Sequence, residues 1–380
     1  MDFNLTKEQQ LLRDGLAKFL ATRYDLTASR GAAKTGAGWQ PDIWRAFAEE
    51  LGILGATLPE EVGGMGGGPV ELMVIAEELG HALVIEPYVD TVVVAGGLLR
   101  RAGGEGAGSV LAAVAAGDAI VTVAATEPES GDDLARLATT AVRDVDGWLL
   151  TGTKIVAVGA PLATHLLVTA RTPDTDGVSL FLVELAAATA GIAMHPYRTI
   201  DDRRAADVVL QGLRLPGSAL VGVAGQAGPS LQQARDEGAA AVAAEAVGCM
   251  RKVLADTVAY CKQRQQFGQP IGSFQALQHR MVDMYLELEQ AVAAVYLAVL
   301  NLDADSATRA RAVSAAKATI GRAARFIGQN AVQLHGGMGM TEELAVGHYF
   351  KRLTALQYEF GSTDYHVARF AELTAPQPVR

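Results

Sequence analysis

The chain carries only two cysteines in 380 residues, Cys249 and Cys261. They stand twelve positions apart in one helical pattern, too far along a helix for their sulfurs to join. No CxxC spacing and no Cys/His cluster accompanies them, so neither a disulfide framework nor a metal site is expected, and a reducing, cytoplasmic setting is. Aromatic residues make up 6% of the chain while alanine abounds, which favours close-packed helices over a β-rich protein. Positive charge is short too: the formal net charge is -10 and the pI about 5.3. Without a basic stripe, nucleic acid is not an expected partner, although an acidic chain still binds anions through local arginines and helix ends. No apolar run reaches the length of a membrane span, the best being the short stretch 239–248. The opening MDFNLTKEQQLLRD is amphipathic and charged, unlike a signal peptide.

What is present is a large apolar fraction, 50% hydrophobic against 19% charged, enough for a substantial core and more than one domain. Residues 1–118 read as helical. Thr6 and Gln9 form a capping-box pattern, and Leu11, Leu12, Leu16 and Phe19 follow at helical spacing. Trp44, Phe47, Leu51 and Leu54 mark a second amphipathic helix. Gly63, Gly64, Gly66, Gly67 and Gly68 make a loop, and Pro69 opens a helix running to about Leu83. From 119 the period changes. Runs at 119–125, 139–143, 148–150, 154–158, 166–170, 178–183 and 206–210 are short and β-branched, parted by turn signals at Asp146-Gly147, Asp176-Gly177 and Pro216-Gly217. The gaps are too short for βαβ crossovers, so an antiparallel β-domain is expected and a Rossmann sheet is not. Helical patterns return at about 230–265, 273–302, 307–332 and 361–373, with a shorter one near residue 350. The expected fold is α+β: an N-terminal helical domain over 1–118, a central antiparallel β-domain over 119–222 and a C-terminal four-helix bundle over 223–380.

Two segments carry the most information, KQRQQFGQPIGSFQALQHR at 262–280 and QLHGGMGMT at 333–341. An Arg–Phe–Gly corner and a glycine-opened helix end suit a large anionic cofactor held against backbone amides. Taken in order with ATEPESGDD at 125–133 and FGSTDYH at 360–366, they resemble the acyl-CoA dehydrogenase family over nearly the whole chain. Within that family the likeness is nearest to the small-subunit type of pimeloyl-CoA dehydrogenases. The resemblance implies three domains and bound FAD lying between the β-domain and the C-terminal helices, its adenine end gripped by a neighbouring subunit. It also implies an acyl-CoA substrate, an electron-transfer flavoprotein as electron acceptor, and assembly as a homotetramer or as an α2β2 heterotetramer with a larger homologous subunit.

The resemblance assigns cofactor roles residue by residue. Thr126 matches a threonine at the flavin pyrimidine edge, and Gly131 a glycine that lets the chain approach the cofactor. Asp132 stands where the family has a serine near the pyrophosphate, an unfavourable place for an anion unless it turns away. Val156 and Val158 occupy the positions of a flavin-facing tryptophan and threonine, so a stacking ring and a hydroxyl are missing. Arg264 matches the arginine that meets the pyrophosphate of a partner's FAD through its bidentate fork, and Phe267 a residue packing on the adenosine. Gln333, Gly336 and Gly337 match the adenine and ribose end, and Ser362 and Asp364 further contacts after the active-site loop. Singly, each has a plainer reading: a turn between strands at 126–133, a helix-end cation at Arg264, a helix C-cap at Gly336-Gly337.

The implied reaction removes the α-proton of an acyl-CoA while hydride leaves the β-carbon. It needs a carboxylate over the α-carbon and donors on the thioester oxygen. The family's usual Tyr-Glu-Gly triplet falls on Glu359-Phe360-Gly361, so a phenylalanine stands in the base position. A minority of the family places the base on the helix before the Arg–Phe–Gly corner, at a position occupied here by Gly238. Glu245 lies seven residues on, on almost the same helix face, among Ala241, Ala243, Ala244, Ala246, Val247 and Gly248. A lone carboxylate in such a wall has its pKa raised toward that of a useful base. Candidates therefore rank Glu245, Glu359, Glu237. The alternatives are a Glu245 paired with an arginine of another helix, an off-line Glu359 and a solvated Glu237. His279 and His335 read as structural, Lys351-Arg352 as a solvated helix end or a CoA-phosphate contact, and Met338 and Met340 as packing residues. The segment 87–99, expected to line the acyl pocket, has no Arg or Lys, so a dicarboxylyl substrate is not indicated. Without a clear base, a non-catalytic FAD-supporting subunit is the alternative function.

Overall fold

The computed structural model describes residues 4–103, 106–130, 133, 136–173, 175–188 and 190–375. In chain order the elements are α1 (Lys7–Arg23), α2 (Leu26–Thr35), α3 (Pro41–Glu49), α4 (Pro69–His81), α5 (Gly96–Ala102) and α6 (Ala107–Ala115). The strands β1 (Val121–Ala124), β2 (Thr140–Asp144), β3 (Gly147–Val158), β4 (His165–Arg171), β5 (Val178–Glu184), β6 (Ile192–Arg198), β7 (Arg204–Pro216) and β8 (Leu220–Val221) follow. Then come α7 (Gly228–Gln263), the two-residue strands β9 (Gln265–Gln266) and β10 (Gln269–Pro270), α8 (Gln275–Val299), α9 (Ser306–His335), α10 (Ala345–Leu356) and α11 (Thr363–Thr374). The capping box at α1 forms as expected: the Gln9 N–H donates to Thr6 Oγ1 and the Thr6 N–H to the Gln9 side chain. Among the described residues no helix is long and apolar enough to cross a membrane.

The chain divides into two compact units, one of residues 1–28, 69–84 and 239–380, the other of 29–68 and 85–238. The second holds the sheet, ordered β6-β7-β3-β2-β4-β5-β8 with β1 alongside β4. Three points differ from expectation. The runs at 148–150 and 154–158 are a single strand, β3, because β7 pairs with both across two register shifts, at Leu150/Thr151 and between Lys154 and Ala157. The sheet is not wholly antiparallel, since β1 pairs with β4 in parallel. Strand β6 had no clear signal: it is an edge strand, largely exposed and containing Pro196, so it lacks the buried alternation that marks a strand. Trp148 sets its ring edge to Phe181, centroids 5.2 Å apart, in a core with Leu150, Leu166, Val183 and Val208. Each such side chain contributes roughly 1.5–3 kcal/mol on burial.

In the first unit α9 is the central helix, packed against α8, α10 and α11. It runs to His335, past the expected end near 332, and stops where Gly336 turns to φ 61. Helices α4 and α7 meet backbone to backbone. A Cβ on Gly80 would lie 2.0 Å from the Glu245 carbonyl oxygen, and one on Gly248 would lie 1.9 Å from that of Glu77. Cys249 Sγ uses this approach to reach the Gly80 carbonyl at 3.1 Å. Gly248→Ala is therefore expected to force the helices apart and to cost about 1–3 kcal/mol in denaturant melts. Gly108→Ala, whose Cβ meets nothing within 4 Å, serves as the control and leaves stability unchanged or slightly raised.

Candidate functional site

After α7 the chain reverses through the β9–β10 hairpin. Phe267 (φ 55) and Gly268 (φ 79) are its two turn residues, both left-handed as a type I′ turn requires. Glycine meets that demand freely; phenylalanine pays roughly 1–2 kcal/mol for it, and its ring is 91% exposed. Arg264 stands at the hairpin base, exposed, with no side-chain hydrogen bond or ion pair among the described residues. A cavity of about 440 Å³ separates this corner from the end of α9, lined by Tyr260, Arg264, Gln266, Gln333, Gly336 and Gly337 among others. Four residues of the cofactor assignment, Arg264, Gln333, Gly336 and Gly337, thus come together. A Cβ at Gly337 would have no neighbour within 4 Å, so open space lies beside the backbone there. One expectation is corrected: the two glycines close the C-terminal end of α9, and the Gly336 N–H is taken by the Gln333 carbonyl. A helix C-terminus disfavours anions, so the cleft owes its positive character to Arg264. His335 is structural as expected, stacked 4.4 Å from the Tyr260 ring, with Nδ1 2.8 Å from the Ala331 carbonyl.

In the sheet unit, the Ile155 N–H donates to the Thr126 carbonyl at 2.9 Å, which brings Thr126 to the stretch of β3 that holds Val156. Thr126 is exposed and Val158 partly buried. Val156, half exposed, sits at φ 52 in the β3 bulge, a genuine outlier for a β-branched residue. Its N–H is held by Asp207 Oδ1 at 3.1 Å. Beneath lies a buried ion pair that sequence reasoning missed, Lys154 Nζ to Glu127 Oε1 at 2.6 Å. Glu127 also accepts from the Ala138 and Thr139 N–H groups. Burial alone would push its carboxyl up, but the bonds from Lys154 and Thr139, the Lys154 charge and the Ala138 N–H leave it below its ordinary value. Burial pushes the Lys154 ammonium down to about 8 against the pull of Glu127. A charge inside a β-branched run was the available signal. Gly131 and Asp132 lie outside the described residues.

The acidic candidates are all engaged. Glu245 is buried, but its wall is not only alanine and glycine. Arg352 lies on it side-on, Nε to Oε1 at 2.6 Å and Nη2 to Oε2 at 2.9 Å. This is the arginine pairing that stood as the alternative, and it holds both oxygens of a buried carboxylate. Arg352 is therefore not a solvated helix end: it is 4% exposed. It also binds Glu359, Nη1 to Oε1 at 2.5 Å and Nη2 to Oε2 at 3.2 Å. Glu237 is likewise not a solvated charge but accepts from Arg101 at 2.5 Å. Beyond Glu359, Phe360 adopts φ 58, and its N–H has no acceptor among the described residues. Ser362 caps α11, its Oγ accepting from the Tyr365 N–H, and Asp364 is exposed in that helix's first turn, where a carboxylate suits the dipole.

Three family models match the chain: the acyl-CoA dehydrogenase N-terminal domain over 6–118, the middle domain over 122–212 and the C-terminal domain over 229–373. The chain is similar to acyl-CoA dehydrogenase IpdE2 of Mycolicibacterium smegmatis, 32% identical over 92% of this chain and 93% of that one. Among solved structures, the ChsE4-ChsE5 complex from Mycobacterium tuberculosis aligns with TM-score 0.89 at 26% identity over 100% of both chains. A glutaryl-CoA dehydrogenase from Mycobacterium smegmatis in complex with FADH2 aligns with TM-score 0.89 at 25% identity, over 99% of this chain and 97% of that one.

The Glu127–Lys154 pair yields a pH test. Glu127→Gln leaves a buried ammonium uncompensated and is expected to cost about 3–5 kcal/mol at neutral pH. The folded value of Lys154 lies near 8, below its ordinary 10.5. The unfolded chain therefore holds more protons between these values, and stability rises with pH across that window. Glu127 holds the Lys154 value up, so removing it lowers the folded value further, and chemical denaturation should show the variant's deficit against wild type shrinking as pH rises toward about 8, above which both proteins gain stability alike.

Proposed function

Because the chain belongs to the acyl-CoA dehydrogenase family, we propose that it forms the α,β double bond of an acyl-CoA thioester, with FAD as cofactor, and passes the electrons to an electron-transfer flavoprotein. It is an acyl-CoA dehydrogenase, an oxidoreductase acting on acyl-CoA. The observation that carries the reading is the cleft that gathers Arg264, Gln333, Gly336 and Gly337. Its residues fit a dinucleotide: a free guanidinium for the diphosphate and open space along Gly337 for the ribose and adenine. Thr126, exposed beside Val156, suits the flavin edge, while Val156 and Val158 supply neither a stacking ring nor a hydroxyl. The division into 1–118, 119–222 and 223–380 and a cytoplasmic setting belong to the same reading.

FAD, when bound, would supply the acceptor for the hydride that leaves the substrate β-carbon. The α-proton falls to the chain. All three acids are tied to arginines, Glu245 and Glu359 to Arg352 at both oxygens and Glu237 to Arg101 at one; Glu359 moves ahead because its side chain is the least buried of the three. Its side chain is 23% exposed against 4% for Glu245, and it adjoins the free N–H of Phe360. That N–H suits stabilisation of the thioester oxygen as charge develops. Assembly is supported by the exposed Phe267 and by apolar side chains on α8 and at its C-cap, Val282, Leu286, Leu297 and Leu300, each 42–54% exposed. Exposed apolar side chains of this kind suit an interaction surface, and so a homotetramer or an α2β2 heterotetramer.

The arginine held on every acidic candidate favours a second reading, an FAD-supporting subunit whose larger homologous partner supplies the base. Anaerobic titration with a panel of acyl-CoAs decides between them. Loss of flavin absorbance that slows by about 10²–10⁴-fold in Glu359→Gln supports the first reading. Flavin retained only on coexpression with a larger homologue, and bleaching indifferent to Glu359→Gln, supports the second. A separate variant, Phe267→Asn, suits the I′ turn. It should keep or raise the melting temperature of the dissociated chain while weakening subunit association in sedimentation runs.

A further inference from the structure

Residues 356–361 link α10 to α11, and buried side chains hold this turn from several sides. Lys317, on α9 and 1% exposed, donates to the carbonyls of Leu356 at 2.8 Å, Gln357 at 3.3 Å and Gly361 at 3.1 Å. It therefore grips both ends of the turn. Arg352 grips Glu359 in the middle and is itself anchored on Glu245 of α7. His366 of α11 brings Nε2 to 3.1 Å from the Phe360 carbonyl. At the centre stands Phe360, left-handed, with its N–H free among the described residues. Burying two cations is costly, and a mere connection between helices does not call for it. A strained non-glycine residue persists only where its surroundings over-determine it, which is a mark of functional sites.

We propose that Lys317 and Arg352 are positioning residues for the dehydrogenation. Together they clamp the turn so that the Glu359 carboxylate and the Phe360 N–H keep a fixed separation and orientation before substrate arrives. Proton acceptance and stabilisation of the thioester oxygen then proceed from one preset piece of backbone. The proposal rests on the acyl-CoA reading above and extends it to two residues that touch neither substrate nor cofactor.

The test uses the FAD-loaded full-length protein and Lys317→Met, which keeps the side-chain volume and removes the ammonium. Hydrogen exchange of the 357–362 amides should rise by about tenfold or more while flavin content stays at the wild-type level. The maximal rate of anaerobic bleaching should fall by about 10²-fold, the scale of a misplacement of about 1 Å. The half-saturating acyl-CoA concentration should change little, the pattern of an interaction made only in the transition state. Glu245→Gln, a milder loosening of the Arg352 anchor, should shift both readouts in the same direction and serves if Lys317→Met does not fold. Exchange that stays at the wild-type level, or a loosened turn with an unchanged maximal rate, overturns the proposal. A wild-type protein that no acyl-CoA bleaches would instead sink the acyl-CoA reading, a failure told apart by the wild-type control.

Discussion

One guanidinium, that of Arg352, organises the first unit's functional end. It is buried, and it spreads its N–H donors over two carboxylates from different parts of the chain, Glu245 on α7 and Glu359 on the turn after α10. A buried arginine with two acids leaves one negative charge in excess, and removing any member would expose an uncompensated charge to a low-dielectric surrounding. The contact depends on the tight α4–α7 crossing at Gly80 and Gly248, which sets the height of α7, and on Tyr349, whose hydroxyl ties α10 to the His81 carbonyl. The geometry of the Glu359–Phe360 turn follows from these supports.

Backbone strain is distributed in an informative way. Among the described residues, the non-glycine positions with left-handed φ are Leu83, Val156, Asp202, Phe267 and Phe360. Three of them, Val156, Phe267 and Phe360, are positions singled out from sequence for cofactor or catalysis. Each is held by a specific device: an Asp207 carboxylate on the Val156 N–H, a hairpin around Phe267, a His366 contact on the Phe360 carbonyl. Such costs are retained where a side chain or an amide must be aimed rather than merely accommodated.

The elements were legible where periodicity is strong and local. The Thr6–Gln9 cap, the helix opened by Pro69 and the long Ala-rich helices all stand close to where their residue patterns put them, because caps, proline and helical spacing act over a few residues. The strands were less so. The bulges that make β3 one strand come from its partner β7, and the exposure of β6 erases its pattern, so neither is written in the strand itself. The site divides in the same way. Arg264, Gln333, Gly336 and Gly337 could be picked out by motif and do share a cleft, but the glycines close a helix C-terminus and the Gly336 N–H is taken by the Gln333 carbonyl.

From the order of residues alone came the family, the succession of helices, sheet and helices, and the displacement of the usual base by Phe360, since all of these are carried by motif, spacing and residue identity. Whether Glu245 was a solitary base or half of an ion pair was decided only by folding. Its partner Arg352 is 107 residues away in sequence, and charge pairing depends on distance in space, which no local pattern encodes. The same holds for Lys317, whose three carbonyl acceptors lie about forty residues downstream and become a clamp only once α9, α10 and α11 are packed together.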